Sequence, residues 1–333
     1  MNVPALGMSV ALGAREPIER MLSVVRRAEA VGVEAVWVID SQLLYRDAYA
    51  LMAVLAYETE RIHIGPGVTN LLTRHETVIA NALATLTTFA PDRIVVGLGT
   101  GDSSIRPLGI PPMRLADFAS AVQRLRALLS GEQASYNGKD VALTTRPANV
   151  PPLFVAATQP RMLRTAGAIA DGVILLGPAD RETISLQLAH VEAGARDAAR
   201  DPAAIQRDVW VGLSIGEGAQ PIDDVRSYAS TQARVLADWK DLPASLVPYR
   251  AELTAAAAEY DYSGHLRAGA QHAHTVSDAF VQTVAIAGSP DVCRDRLEDL
   301  FTLGLDRVSV TLLPGGREQR IDAVGALWES LRR

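Results

Sequence analysis

The sequence predicts an α/β protein folded as a single (β/α)8 barrel, on three observations. Eight short apolar runs rich in β-branched residues recur along the 333 residues, bounded by Gly, Pro or Asp. Segments with three-to-four-residue apolar spacing separate them, as helices require. The runs are apolar on both faces, which implies parallel strands covered by helices, and their number suits a closed barrel better than an open doubly wound sheet.

In chain order the strands are LGMSVAL, AVWVID, IHIGPGVT, RIVVGLGT, LFVAAT, GVILLG, VWVGLSIG and RVSVTLL. After the first, Ile18, Met21, Leu22, Val25 and Ala28 share one helical face, and Gly32 stops the helix. Helix, Gly and strand then recur in AEAVGVEAVWVID, AGAIADGVILLG and LFTLGLDRVSVTLL. The third strand is unusual. HIGPGVTNLLTRHETVIA places two glycines and a proline in its interior, where Pro removes a ladder donor and Gly packs nothing, so something requires a bare backbone there.

Between the fourth and fifth strands, GEQASYNGKDVALTTRPANVPP carries the hairpin turn signal Asn137-Gly138. A longer helical segment, 217–283, interrupts the last unit, contains the Pro-marked loop DLPASLVP, and is expected to cap the barrel mouth as an insertion within one domain spanning 1–333.

Composition narrows the function. A net charge of -6 with no Lys/Arg stripe argues against nucleic acid as a partner, and one cysteine, Cys293, excludes an internal disulfide or a multi-cysteine zinc site. Redox chemistry would therefore need a bound cofactor. No apolar run reaches the roughly 18 to 20 residues of a membrane helix. The first residues lack the basic region of a secretory signal, so a cytoplasmic protein acting on a small molecule is expected.

In a parallel barrel the active site lies at the carboxyl ends of the strands. The residues to inspect are therefore Asp40 and Ser41, Gly67, Val68 and Thr69, Thr100, Gly101 and Asp102, Thr158 and Gln159, and Gly177. GLGTGDSS holds only part of a dinucleotide fingerprint, and no full G-x-G-x-x-G opens a helix. Asp40 and Asp102 could each serve as a helix cap or turn residue instead. Thr158 and Gln159, with Pro160 in the first helical turn, offer N–H groups and a hydroxyl suited to an anion, and Gly177 would let backbone approach the same ligand. His272 and His274 have an H-x-H spacing that on a helix points to different faces, which makes a metal site a poor reading. Tyr45 and His274 are candidates to line a substrate pocket, while Trp37 reads as core.

WVIDS, HIGPGVTNLLTRHETVIANALATLTTFAPDRIVVGLGTGD, PLGIP and IAGSPDVCRDRLEDLFTLGLDRVSV together resemble the bacterial luciferase-like flavin and deazaflavin oxidoreductases. The nearest group is the coenzyme F420-dependent one that includes methylenetetrahydromethanopterin reductase. The resemblance implies a luciferase-like barrel, F420 at the strand ends, and hydride transfer at C5 of the deazaflavin. It implies a bulge with a non-prolyl cis peptide at Gly67 and Val68 supporting the deazaflavin from behind, where Gly67 would lack a Cβ that clashes with the ring. Asp40 would join the cofactor site, Asp102 would lie near the reactive face as a proton donor if buried, and Arg74 and His75 would border the entrance. A homodimer is also implied.

The chain departs from this family at Ser41, where its alcohol and sugar-phosphate dehydrogenases have a histidine as proton acceptor. A serine without a basic partner is a poor base near neutral pH. Neither lysine, Lys139 or Lys240, ends a strand to clamp a sugar phosphate. Reduction of a C=C, C=N or C=O bond therefore fits better than oxidation of a secondary alcohol. The alternatives are an FMN-dependent monooxygenase on the same scaffold and a barrel that binds a cofactor without catalysis.

Overall fold

The computed structural model describes residues 3–267, 269–312 and 317–333. Its strands are β1 (Ala5–Val10), β2 (Ala35–Val38), β3 (His63–Pro66), β4 (Thr69–Asn70), β5 (Val96–Gly99), β6 (Ala134–Tyr136), β7 (Lys139–Val141), β8 (Leu153–Ala157), β9 (Gly172–Leu176), β10 (Gln206–Ile215), β11 (Ile286–Gly288) and β12 (Arg307–Thr311). The helices are α1 (Ile18–Ala30), α2 (Ala48–Glu58), α3 (Glu76–Phe89), α4 (Leu115–Ser130), α5 (Pro160–Ile169), α6 (Arg181–Asp197), α7 (Gln220–Leu236), α8 (Arg250–Glu259), α9 (Asp278–Val284), α10 (Pro290–Phe301) and α11 (Arg317–Arg332).

All eight apolar runs are strands of one parallel sheet in the order β3-β2-β1-β12-β10-β9-β8-β5-β4. Its two ends, β3 and β4, are halves of the third predicted strand. A parallel bridge from Ile64 to Ile94 joins β3 to the start of the β5 segment, which closes the barrel. β6 and β7 form the antiparallel hairpin around Asn137-Gly138. β11 pairs with the upper part of β10 through Leu213 and Ile286, a strand too short to stand out in the sequence.

Helices begin where the chain supplies a cap: Asp47 for α2, Asp180 for α6 and Ser289 for α10 each accept a first-turn N–H. Pro160 and Pro290 start their helices where a missing N–H does no harm. Inside the barrel, Trp37, Val95, Phe154, Ile174 and Trp210 form a buried cluster with Val68 packed on it. Trp37 meets Phe154 edge-on at 5.4 Å, so it is core as expected. The segment 217–283 contributes most of a second apolar cluster, including Tyr228, Trp239, Leu246, Leu253 and Phe280.

Gly67–Val68 is a cis peptide, and it separates β3 from β4. Packing inside the barrel already demands a bare backbone at this point. A Cβ on Gly67 would lie 2.5 Å from Trp37 Cβ and 2.9 Å from Trp210 Cη2. On the neighbouring strand, a Cβ on Gly97 would meet Pro66 O at 2.5 Å and Val68 Cγ1 at 2.9 Å. The bulge thus drives Val68 into space that Gly97 leaves open.

Candidate active site

A cavity of about 520 Å³ opens at the carboxyl ends of the strands. Asp40, Ser41, Gly67, Val68 and Thr69 border it on one side, Thr100, Gly101 and Asp102 on the next, and Thr158 and Gln159 beyond. Its volume lies within the roughly 300–1,000 Å³ of small-molecule sites.

The Asp40 carboxylate is buried. It accepts the Thr69 hydroxyl at 2.8 Å and Arg74 Nε at 3.3 Å, while Arg74 reaches Asp47 at 2.5 Å. Asp47, not Asp40, caps α2, so Asp40 is no helix cap. Arg74 is committed to these acids and to the Tyr49 ring, 4.7 Å away. His75 caps α3 and packs on Tyr136. Neither Arg74 nor His75 borders the cavity. Ser41 Oγ bonds Ser103 Oγ at 2.6 Å, and Asn70 Nδ2 donates to Ser104 Oγ at 3.0 Å, which stitches three neighbouring strand ends together.

Asp102 is 43% exposed, accepts Arg106 Nε at 2.7 Å and accepts the Tyr262 hydroxyl at 3.0 Å. The apolar enclosure required for a proton-donor role is therefore absent. Arg106 also lies 3.6 Å from Asp238, which takes Arg234 at 2.8 Å, so alternating charges link the loop after β5 to α7 and the turn that follows it. Across the cavity, Gln159 begins α5 without a side-chain cap, and Arg161 in the first turn faces the same space.

Three expected residues are not brought to the cavity. Gly177 sits beside Gln187, whose amide donates to Leu176 O at 3.0 Å and ties strand ends from behind. Tyr45 is half-buried and donates to the His265 carbonyl at 2.8 Å, so it supports the wall rather than forming it, and desolvation pushes its phenol up to about 12. His274 is exposed on a short 3-10 turn, Gln271–Thr275, while His272 packs on Tyr260 at 4.4 Å.

Sequence reasoning did not name the residues of the segment 217–283 that line the cavity. Tyr228, Thr231, Gln232 and Val235 of α7 line the cavity at i, i+3, i+4 and i+7, a face that helical spacing could have exposed. His265 lines it too. Its Nδ1 lies 2.6 Å from the Tyr260 hydroxyl and its ring stacks on Tyr262, while burial holds the imidazole down at about 4. No local pattern marks which coil histidine docks over the barrel.

Over 327 residues the chain is 27% identical to a 5,10-methylenetetrahydromethanopterin reductase of Methanolobus tindarius, covering 93% of this chain and 95% of that one. An F420-dependent glucose-6-phosphate dehydrogenase of Beutenbergia cavernae is 35% identical over 173 residues, 46% of this chain and 52% of its own. The structure of the coenzyme F420-dependent tetrahydromethanopterin reductase from Methanopyrus kandleri shares the fold, with a TM-score of 0.80 at 22% identity over 97% of this chain and 98% of that one. The family model for luciferase-like monooxygenases matches residues 5–307, and the chain belongs to this luciferase-like family.

Proposed function

We propose that this protein is an F420-dependent oxidoreductase that exchanges a hydride with a small organic substrate. One observation carries the reading: a single cavity runs from the strand ends bearing Asp40 and Asp102 to the uncapped start of α5. That shape suits a ligand with a redox ring at one end and a phosphate at the other. Bound F420 supplies a hydride donor or acceptor at C5 of its deazaflavin. The N–H groups opening α5, with Thr158, Gln159 and Arg161, would hold the phosphate. Gly67 and Val68 would back the ring, with Thr69, Thr100 and Gly101 beside it.

Substrate would then lie under α7 and His265. Ser41 is bonded to Ser103 rather than to a base, so no histidine-like proton acceptor stands at this position, and reduction of a C=C, C=N or C=O bond is the reading that this turn favours. A reductase similar over 93% of this chain supports the redox reading, and a dehydrogenase similar over 46% of it is F420-dependent by name.

The test is titration of the purified protein with F420 and, separately, with FMN, followed by Trp fluorescence and cofactor absorbance. Trp210 borders the cavity and provides the signal. Tight F420 with weak FMN binding is expected. The reverse preference would replace this reading with an FMN monooxygenase, and F420 binding without turnover of any substrate would leave a non-catalytic barrel.

A further inference from the structure

His265 lines the cavity, and its carbonyl is held by Tyr45 of the turn that carries Ser41. Its backbone is fixed from the barrel side by the Tyr45 hydroxyl, and its ring from the insertion side by Tyr260 and Tyr262. Asp102 reaches the same group of rings through Tyr262, at 3.0 Å. The histidine is thus held against the rim formed by the turns after β2 and β5, although it comes from the far end of the chain.

The hydrogen bonds around it can run in either direction, and one of the two leaves a lone pair on His265 Nε2. In that order Thr231 Oγ1 gives its proton to the Ser227 carbonyl at 3.1 Å, which also takes Ser230 Oγ at 3.0 Å. Thr231 then accepts from the Tyr260 hydroxyl at 3.0 Å. Tyr260, having given its proton away, accepts from His265 Nδ1 at 2.6 Å. This order places the ring proton on Nδ1 and leaves a lone pair on Nε2, which has no hydrogen-bond partner among the described residues. A neutral imidazole whose tautomer is fixed by a third group has the arrangement of a general base.

We propose, on the reading that the cavity binds F420, that His265 Nε2 exchanges the substrate's proton, so that the substrate pair differs at a carbon–heteroatom bond: carbonyl and alcohol, or imine and amine. In the oxidative direction the substrate O–H or N–H bond breaks toward Nε2 as the double bond to carbon forms, and the C–H electron pair leaves with its hydrogen as hydride to the cofactor. In the reductive direction Nε2 must first take a proton from solvent before passing it to oxygen or nitrogen, so this direction should quicken as pH falls toward about 4. Tyr260 and Thr231 are positioning residues that fix which ring nitrogen faces the substrate. A C=C reduction places its proton on carbon and makes no use of such an acceptor. The missing strand-end histidine is thereby replaced from the insertion, and reduction and oxidation of one substrate pair use the same group.

Burial is the larger cause that holds the imidazole unprotonated at neutral pH, with Asp102 opposing it and His272 reinforcing it. The titratable groups around it are Tyr45, Asp102, Tyr260, Tyr262 and His272. The tyrosines stay protonated near neutrality, since burial raises Tyr45, Tyr260 and Tyr262.

Two measurements test this. Long-range nitrogen NMR of the cofactor-free protein should show His265 as the Nδ1–H tautomer, and Tyr260→Phe should mix the tautomers; an Nε2–H tautomer in the unsubstituted protein overturns the proposal. Kinetics with cyclohexanol and F420, and with cyclohexanone or cyclohex-2-enone and reduced F420, provide the second. His265→Gln should leave F420 affinity within about twofold and lower turnover of the alcohol–ketone pair by ~100-fold, with Tyr260→Phe shifting its pH profile. Unchanged turnover in His265→Gln, turnover confined to the C=C bond, or none of the alcohol–ketone pair overturns it. Failure of the unsubstituted protein to bind F420 instead sinks the cofactor reading, which the titration reports separately.

Discussion

Thr69 donates its hydroxyl proton to the buried carboxylate of Asp40 at 2.8 Å, and so fastens the strand segment beyond the Gly67–Val68 bulge to the end of β2. The same carboxylate receives Arg74, whose other contact is Asp47. Asp40 therefore holds the loop that borders the cavity while standing at its wall.

Asp40→Ala should leave Thr69 and Arg74 short of an acceptor in a buried site. A loss of about 1–3 kcal/mol in stability is expected, with F420 binding weaker by roughly tenfold as the loop relaxes. Asp40→Asn keeps an acceptor for Thr69 and should lose less of both. Urea unfolding with a parallel F420 titration checks the order, and equal losses in the two variants would show that the charge, not the acceptor, matters.

Gly97→Ala places a Cβ 2.5 Å from Pro66 O and 2.9 Å from Val68 Cγ1. A backbone oxygen cannot rotate away as a side chain can, so the bulge itself must move. Destabilisation of about 1–3 kcal/mol is expected from such overpacking, together with weaker cofactor binding. Wild-type affinity in a folded Gly97→Ala variant would separate the bulge from the cofactor site.

The barrel was legible because its strands are buried on both faces and read as unbroken β-branched runs. β11 was not, since three residues carry no period. Strand-end residues from Asp40 to Gln159 were legible through barrel geometry alone, which puts them at one rim whatever their chemistry. Tyr45, Gly177 and His274 show the limit of that logic. Each lies near a strand end or in the insertion, yet only tertiary docking decides whether such a residue faces the cavity or braces it. His265 was missed for the same reason, because a coil residue has no face until its neighbours are known.

Asp208 lies inside the barrel, wholly buried. It accepts Trp37 Nε1 and Ser309 Oγ at 3.0 Å each and lies 3.6 Å from Arg307. Burial outweighs these partners and pushes its carboxyl up to about 6. The folded protein thus binds this proton more tightly than the unfolded chain, where Asp titrates near 3.9. Its stabilising contribution is complete below about pH 4 and is lost as pH rises through about 6, by on the order of 2–3 kcal/mol. Asp208→Asn should remove that component, so the difference in unfolding free energy between wild type and variant should change in this direction between pH 4 and 7. A constant difference across that range would place the proton elsewhere.

Asp238 joins Arg106 of the barrel rim to Arg234 of α7 at 3.6 Å and 2.8 Å, with all three side chains partly in solvent. Pairs of this kind contribute about 0–1 kcal/mol, so the link can do little for global stability. It can still position the roof, because α7 carries Tyr228, Thr231, Gln232 and Val235 over the cavity and meets the loop after β5 through these charges. Asp238→Asn should therefore shift Tm by less than about 2–4 °C while raising amide exchange within 220–236 and weakening substrate more than F420. High salt should reproduce part of the effect in the wild-type protein, since exposed charges are screened. A large drop in Tm, or unchanged exchange across α7, would show that the apolar cluster of the insertion alone sets the position of the roof.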